Sequence, residues 1–368
     1  MSISRFLPIL GSLAVLAFGL AAVGTWVMRS IAPQFGLLDQ PGERKIHTQP
    51  TPRGGGIAIF VALWLPIVLA VAVTHLPTSC TTWLPAWSVP FLPGIAHRLP
   101  RIASIFAGSL LLAIIGLIDD RRGVPGWLRL LATIIVATLL FAFKQERITI
   151  FLQNPWLTGV LTVAWIVGVT CTFMVLDNMD GLCGGVAFIV GLMFVVVALQ
   201  TQQLFLAAVF ALLVGAVGGF LVFNFPPASI FMGDCGSMFI GFMIGVLSVD
   251  FTFYQPTHPL FPVVVPLLIL AVPIFDIVSV TWIRLSEGRS PFSADTKHFS
   301  HRLLALGMTQ RQAVLTIYLV TAAIGLGATV LYQSTTVGAV VAIVQAAAVF
   351  AIIVVLERAG LSRERRRP

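Results

Sequence analysis

The feature that most constrains this fold is a series of about eleven apolar runs, each close to 20 residues long. The runs lie near residues 6–28, 54–74, 102–118, 127–143, 156–175, 182–199, 204–223, 237–253, 261–283, 312–332 and 337–356. A helix of about 20 residues spans the hydrocarbon core of a bilayer. A lipid-exposed backbone must also satisfy its own hydrogen bonds, which favours helices. The sequence therefore predicts an all-α polytopic membrane protein with about eleven transmembrane helices.

The composition supports this class of protein. The chain is 58% hydrophobic and 10% charged, with a mean hydropathy of +1.00, whereas soluble domains have about 25% charged residues. We predict one integral-membrane domain over residues 1–368, with a basic cytoplasmic tail at 357–368. The run at 6–28 is too long for the core of a signal peptide and lacks a convincing small-residue cleavage site, so we interpret it as the first span.

The distribution of Lys and Arg predicts the orientation. With the N-terminus outside and the C-terminus inside, 17 of the 22 basic residues fall in inner loops or the tail. The other five are Arg5, Arg98, Arg101, Lys144 and Arg147. Cytoplasmic loops carry an excess of Lys and Arg, so this N-out/C-in arrangement is favoured. Because the basic residues lie at the ends of apolar runs, the net charge of +8 does not indicate a nucleic-acid partner.

Most acidic residues fall on the same side of the predicted membrane. Six aspartates lie on the inner side: Asp119, Asp120, Asp177, Asp180, Asp234 and Asp295. The outer loops contain a single acid, Glu146. We therefore expect chemistry on a charged, metal-binding substrate at the cytoplasmic face. The four cysteines form no CxxC pair, which indicates neither a disulfide nor a zinc site.

The first inner loop combines cations with glycines. Lys45 and Arg53 precede the run Gly54–Gly56 at the mouth of the second helix. Glycine allows close backbone approach, and a helix N-terminus offers free N–H groups to an anion, so this loop suits phosphate. The alternative is a flexible basic loop anchored to anionic lipid.

Asp119 and Asp120 end the third apolar run. Adjacent carboxylates at a membrane boundary are costly unless they bind a cation or a substrate. Three interpretations stay open at this point: ligation of Mg²⁺, action as a base, or pairing with Arg121 and Arg122.

Two further inner loops carry acids with polar or glycine neighbours. Asp177 and Asp180 are three residues apart, which places them on one face if that segment is helical. In the other loop, Asn224 and Phe231 precede Asp234. Asp234 stands between glycines at a helix start, where it suits either a metal ligand or an N-cap.

The longest and most basic inner loop spans about residues 284–303. His298 and His301 in this loop, flanked by Lys297 and Arg302, suit a pyrophosphate. Zinc is disfavoured because no Cys or third His lies nearby.

Taken together, the five loops resemble those of the polyprenyl-phosphate N-acetylhexosamine-1-phosphate transferases, or glycosyltransferase family 4, from about Lys45 to Arg311. The resemblance implies transfer of N-acetylhexosamine-1-phosphate from a UDP-N-acetylhexosamine to undecaprenyl phosphate, with release of UMP. It implies GlcNAc as the sugar, because the last loop is similar to the GlcNAc branch. The reaction would be the first membrane step of a cell-envelope polysaccharide pathway, such as cell wall or lipopolysaccharide, at the bacterial inner membrane. Mg²⁺ is the implied cofactor, with Mn²⁺ as an alternative, and a homodimer is a further expectation.

The resemblance also implies roles for individual residues. Asp119 and Asp120 match the family's paired catalytic aspartates, Asp234 its Mg²⁺ ligand and Phe231 the aromatic that stacks on uracil. The remaining matches are residues of the nucleotide and phosphate sites, with His298 and His301 as catalytic histidines: Lys45, Asp177, Asp180, Asn224, Arg302, His298 and His301.

Three positions depart from the family pattern. Met174 and Cys171 stand where the family has asparagines, and the asparagine at the position of Met174 is a metal ligand in the family. Ser300 replaces a histidine. A thioether is a poor ligand for a hard cation. The rival hypothesis is therefore a catalytically weakened paralogue that binds nucleotide-sugar or lipid without turnover. A transporter is disfavoured because the acids cluster at one face, with Asp276 the lone candidate for a midplane charge.

Overall fold

The computed structural model describes residues 6–41, 49–77, 89–143, 154–251, 261–291, 297–331 and 336–364, so Lys45 lies outside the described residues. Within these ranges the chain is almost entirely helical. The helices are α1 (Leu7–Ile31), α2 (Gly55–Thr74), α3 (Leu92–His97), α4 (Leu99–Arg122), α5 (Gly126–Ala142), α6 (Pro155–Leu176), α7 (Leu182–Gln200), α8 (Leu204–Asn224), α9 (Gly233–Val249), α10 (Phe261–Ile269), α11 (Ala271–Ser286), α12 (Phe299–Ala305), α13 (Gln310–Val330) and α14 (Thr336–Glu364). Two short strands, β1 (Leu38–Asp39) and β2 (Thr51–Pro52), pair antiparallel.

The predicted fold class is confirmed. In the described ranges, eight helices are long and apolar enough to cross a membrane, and α5 and α9 are shorter apolar helices. The count of eleven spans and the orientation stay predictions. The ninth predicted run is divided at Leu270 into α10 and α11. Pro273 has no N–H to donate to Ile269, and this interrupts the helical hydrogen-bond ladder.

Helix α9 lies at the centre of the bundle, and every residue from Cys235 to Val249 is buried. Two glycines of neighbouring helices approach its first turn. A Cβ at Gly116 of α4 would overlap the backbone of Asp234 and Cys235, and a Cβ at Gly56 of α2 would overlap Gly236. Small residues at helix interfaces allow this close packing in membrane proteins. The start of α9 is therefore fixed between α2 and α4.

The beginning of α2 is hydrogen-bonded to the segment that precedes α9. The N–H groups of Gly55 and Gly56 donate to the carbonyls of Phe231 and Met232, each at 3.0 Å, and the N–H of Phe231 donates to Pro52 at 2.8 Å. The prediction that this glycine run offers free N–H groups to phosphate is thus wrong for Gly55 and Gly56. Their N–H groups are used to join two parts of the protein.

The fold gives a direct test of the predicted orientation. Arg122 at the end of α4 and Asn154 before α6 are both exposed and lie on opposite sides of the predicted membrane. In a cysteine-free background on intact cells, we expect a membrane-impermeant maleimide to label Asn154→Cys and not Arg122→Cys. After permeabilisation both variants should be labelled. If only Arg122→Cys were labelled on intact cells, the orientation would be the opposite of the predicted one.

Candidate active site

A cavity of about 350 Å³ opens where the ends of α4, α6 and α8 meet the start of α9. Its walls contain seven of the residues predicted from sequence: Asp120, Asp177, Asp180, Asn224, Phe231, Asp234 and His301. They also contain Met174, Arg53 of the predicted phosphate loop, and two charged residues that were not predicted, Asp39 and Arg129. The separate inner loops therefore contribute to one site.

Asp120 caps helix α9 from the end of α4. Its carboxylate, with the side chain 1% exposed, accepts hydrogen bonds from the backbone N–H groups of Asp234 at 2.9 Å and Cys235 at 3.1 Å. The first N–H groups of a helix have no partner within the helix, so a carboxylate from another segment can satisfy them. Gly233 has φ +75° and leaves room for this carboxylate, which a Cβ there would overlap. The capping role considered for Asp234 belongs to Asp120.

Arg129 of α5 connects Asp119 and Asp234. Its Nη1 lies 2.8 Å from Asp119 Oδ2 and 2.9 Å from Asp234 Oδ1. The other carboxylate oxygen of Asp119 accepts from the backbone N–H of Val124. The partners of Asp119 and Asp120 are thus other groups, and the alternative that they pair with Arg121 and Arg122 is wrong. Both of these arginines are exposed. The sequence signal for Arg129 was a cation near the start of an apolar helix at the same membrane boundary.

Arg53 supplies a second cation to the cavity wall. Its Nη2 lies 2.5 Å from Asp39 Oδ1, and its Nη1 lies 3.6 Å from Asp120 Oδ1. Phe231, which the sequence assigned to the nucleotide base, forms a backbone bridge with Arg53 and lines the same cavity. Arg53 is the loop cation expected from the sequence, whereas Asp39 could not be predicted, because the β1–β2 pairing is not visible in the sequence.

Asp177 lines the cavity and has no protein partner in the described ranges. It is half-buried, and within the described part of the chain no hydrogen bond or ion pair to its carboxylate is found. Burial raises the pKa of the Asp177 carboxyl to about 7, and the negative charge of Asp120 acts in the same direction. Met174 lines the cavity one helical turn before Asp177, as expected for the position of the missing asparagine.

Asp180 and Asn224 connect two loops of the site. Asp180 Oδ2 accepts from the N–H of Ala228 at 3.0 Å. Asn224 accepts from the N–H of Gly181 at 3.0 Å and donates to the carbonyl of Ile230 at 2.9 Å. Both side chains line the cavity, but these bonds engage them with the backbone.

The structure separates the two predicted catalytic histidines. His301 lines the cavity, whereas His298 is buried outside it, with Nδ1 3.2 Å from Asp276 Oδ2. Asp276 is therefore paired and is not an isolated midplane charge. Ser300, where the family has histidine, donates to Asn178 Oδ1 at 2.6 Å.

Arg302 also lies away from the cavity. Its Nε is 2.9 Å from Glu357 Oε1 of α14, and its Nη1 donates to the carbonyl of Lys297 at 2.6 Å. Its Nη2 donates to Ser279 at 3.2 Å. These contacts connect α11, α12 and α14. Arg302 therefore does not line the cavity, although the sequence predicted it as a substrate-binding residue.

The carboxylates of the cavity fit a hard cation only if the substrate supplies further ligands. Among the described residues, no group of three or more His, Cys, Asp or Glu side chains is arranged as a complete metal site. Mg²⁺ commonly uses one or two carboxylates together with water and substrate phosphates. Two carboxylates match this requirement: Asp234, whose side chain is 25% exposed, and Asp177, which has no protein partner among the described residues.

The bundle and its cavity define a multi-pass membrane protein with a cavity lined by both carboxylates and arginines. A model of the family described as Glycosyl transferase family 4 matches residues 102–252, which include Asp119, Asp120, Asp177 and Asp234. The chain is 32% identical over 319 residues to the probable undecaprenyl-phosphate N-acetylglucosaminyl 1-phosphate transferase of Bacillus subtilis (strain 168), covering 84% of this chain and 82% of the relative.

Two other relatives agree. The decaprenyl-phosphate N-acetylglucosaminephosphotransferase of Mycolicibacterium smegmatis is 32% identical over 331 residues, covering 82% of this chain and 77% of its own. The undecaprenyl-phosphate alpha-N-acetylglucosaminyl 1-phosphate transferase of Escherichia coli (strain K12) is 27% identical over 307 residues, covering 80% and 76%. The chain belongs to the polyprenyl-phosphate N-acetylhexosamine-1-phosphate transferase family, and it is an enzyme that transfers a sugar phosphate.

The different contacts of Asp120 and Asp234 predict different defects. Asp120→Ala and Asp234→Ala should each lower turnover by about 10²-fold or more, the scale of losing a charge-stabilising group. Asp120→Ala should also lower the thermal midpoint in detergent, because unsatisfied buried N–H groups cost about 1–3 kcal/mol each. Asp234→Ala removes one ion pair at a partly exposed side chain and should unfold close to wild type. A wild-type midpoint for Asp120→Ala would contradict the capping role.

Proposed function

We propose that the protein transfers GlcNAc-1-phosphate from UDP-GlcNAc to a polyprenyl phosphate and releases UMP. The polyprenyl phosphate that we propose is undecaprenyl phosphate. The observation that carries this proposal is the cavity in which Asp177 and Asp234 stand beside Arg53 and Arg129 at the ends of apolar helices. The names of the relatives contain both the polyprenyl phosphate and the N-acetylglucosaminyl phosphate.

The proposed reaction is a single displacement at phosphorus. An oxygen of the polyprenyl phosphate attacks the β-phosphorus of the UDP-sugar. The bond from that phosphorus to the bridging oxygen breaks as the new bond forms, and UMP leaves with the bridging oxygen. Phosphoryl transfer is accelerated mainly by positioning and by stabilisation of developing charge. The second pKa of a phosphate monoester is about 6, so the acceptor phosphate is largely dianionic at neutral pH. One of its ionised oxygens is the nucleophile.

The two arginines are suited to the phosphates. A guanidinium presents several N–H donors in a plane, which matches phosphate oxygens. Arg129 is oriented by Asp119, and Arg53 is oriented by Asp39. We assign both arginines to binding and to neutralising the phosphates of donor and acceptor.

Asp119 and Asp120 take an orienting role in this proposal. All four of their carboxylate oxygens accept hydrogen bonds from protein N–H groups. This favours holding Arg129 and the start of α9 in place over abstraction of a proton. Asp177, whose carboxylate has no partner in the part of the chain that the structure describes, remains to contact a substrate or a cation.

Mg²⁺, with Mn²⁺ as the alternative, is the proposed cofactor, and Asp234 with Asp177 would hold it. When bound, the cation would neutralise the pyrophosphate of the donor and the charge that develops on UMP. Asp234 keeps Arg129 beside this position through the 2.9 Å ion pair.

The predicted orientation places the cavity at the cytoplasmic face. The residues at its wall come from the ends of α4, α6 and α8 and the start of α9, which the N-out/C-in topology assigns to one side. We propose that the protein acts in a bacterial inner membrane, at the first membrane step of a cell-envelope polysaccharide pathway. Assembly as a homodimer stays a prediction.

Met174 supports a second candidate function. Its thioether lines the cavity where a harder ligand would suit Mg²⁺. A paralogue that binds nucleotide-sugar or lipid without turnover would tolerate this residue.

One experiment separates the two functions. Purified protein, polyprenyl phosphate and Mg²⁺ are combined with a panel of UDP-sugars, and UMP release is measured. The transferase should release UMP only with both substrates present, and fastest with UDP-GlcNAc. Binding of UDP-GlcNAc with no UMP release from any sugar would establish the weakened paralogue and overturn the proposed reaction.

Met174→Asn tests how the cation is held. The added amide oxygen should lower the Mg²⁺ concentration for half-maximal rate by about tenfold, the scale on which single groups near a metal change its affinity. Met174→Leu, an apolar control of similar volume, should leave this concentration unchanged. If Met174→Asn also leaves it unchanged, residue 174 does not lie beside the cation. If the wild type is inactive and Met174→Asn restores UMP release, the paralogue hypothesis is correct.

A further inference from the structure

A second cluster of charged residues lies inside the bundle and outside the cavity. Asp276 and Arg284 of α11 are both buried, and His298, the residue before α12, packs between them. Asp276 is 1% exposed. Burying charges away from water is costly unless they are paired and hydrogen-bonded. The proposed reaction uses none of these three side chains directly.

Asp276 binds the chain where α12 begins. Its Oδ1 accepts from the backbone N–H of Phe299 at 2.6 Å, and its Oδ2 lies 3.2 Å from His298 Nδ1. An ionised carboxylate only accepts hydrogen bonds, so we assign the ring proton to Nδ1. The other nitrogen, Nε2, lies 3.5 Å from Arg284 Nη2, which is a donor. Both ring nitrogens of His298 thus face protein groups.

Helix α12 has seven residues, and a helix this short is not stable alone. Its orientation therefore depends on contacts from other elements. Asp276 holds Phe299, Asn178 accepts from Ser300, and Glu357 pairs with Arg302. His301 lies between these anchored residues and is the member of α12 that reaches the cavity.

We propose that Asp276 is a positioning residue that holds the first turn of α12 and thereby directs His301 into the active site. The proposal rests on the proposed function of the cavity. Asp276 contacts the backbone of Phe299 and the ring of His298, and it is not among the residues of the cavity wall. It also gives His298 a role in fixing α12, distinct from contact with substrate.

A double-mutant cycle with His301 tests the proposal. Asp276→Asn should lower kcat by about 10-fold or more, because a misplacement of about 1 Å can cost as much as 10²-fold. In a His301→Ala background the same change should lower kcat by less than about twofold, since residues that act through one another are not additive. A role in stability alone would give the same loss in both backgrounds.

Asp250→Asn is the matched control. Asp250 is a carboxylate with a side chain 2% exposed, and it pairs with Arg101 beyond the opposite end of α9. Any effect of this change should be the same with and without His301. If Asp276→Asn folds poorly because the bundle then buries the positive charge of Arg284 without the negative charge of Asp276 nearby, the double variant Asp276→Asn/Arg284→Gln removes both buried charges. It should show the same loss of kcat and the same dependence on His301.

Hydrogen exchange gives a reading that does not require activity. In Asp276→Asn the amides of residues 299–305 should exchange at least about tenfold faster, because the amide has one acceptor oxygen and cannot accept from both Phe299 and His298 as the carboxylate does. Asp250→Asn should leave them unchanged. Wild-type kcat in Asp276→Asn, full additivity with His301→Ala, or unchanged exchange in α12 would each overturn the proposal. A wild type that releases no UMP would overturn the proposed function, and the exchange comparison would still decide the positioning role.

Discussion

The active site depends on one interaction, in which the Asp120 carboxylate accepts the first N–H groups of α9. This contact joins the end of α4 to the start of the most buried helix, whose first N–H groups have no partner within the helix. Gly116 and Gly56 let α4 and α2 approach that point closely enough for the contact to form. The position of Asp234, one residue inside α9, follows from it.

Charge balance governs the rest of the site. Four carboxylates at the site would repel one another: Asp39, Asp119, Asp120 and Asp234. Arg53 and Arg129 offset part of this repulsion through four ion-pair contacts. Each arginine contacts two carboxylates, which fix its orientation. In the proposed reaction an incoming phosphate would therefore meet cations that are already oriented. Preorganisation of this kind is the main source of catalysis in phosphoryl transfer.

Three residues suggested by sequence as site residues or as a membrane charge have structural contacts instead. His298, Arg302 and Asp276 form hydrogen bonds and ion pairs that hold α12 against α11 and α14, while His301 alone of the loop's predicted residues reaches the cavity. In an apolar bundle, polar side chains strongly favour one arrangement of helices, since any other arrangement leaves them unpaired. A buried charged residue in this bundle can therefore serve to hold helices together, as His298, Arg302 and Asp276 do.

The sequence by itself determined the fold class and seven of the residues that line the cavity. Apolar runs of bilayer length admit only helices, and the polar residues between them are few enough that Asp120, Asp177, Phe231 and Asp234 could be singled out. Tertiary structure alone decided their partners, because the pairing of Asp120 with α9, of Arg129 with Asp234, and of Asp276 with His298 joins residues 114, 105 and 22 positions apart. Periodicity reports only neighbours within a few residues, and the contacts that orient these side chains form when the helices pack.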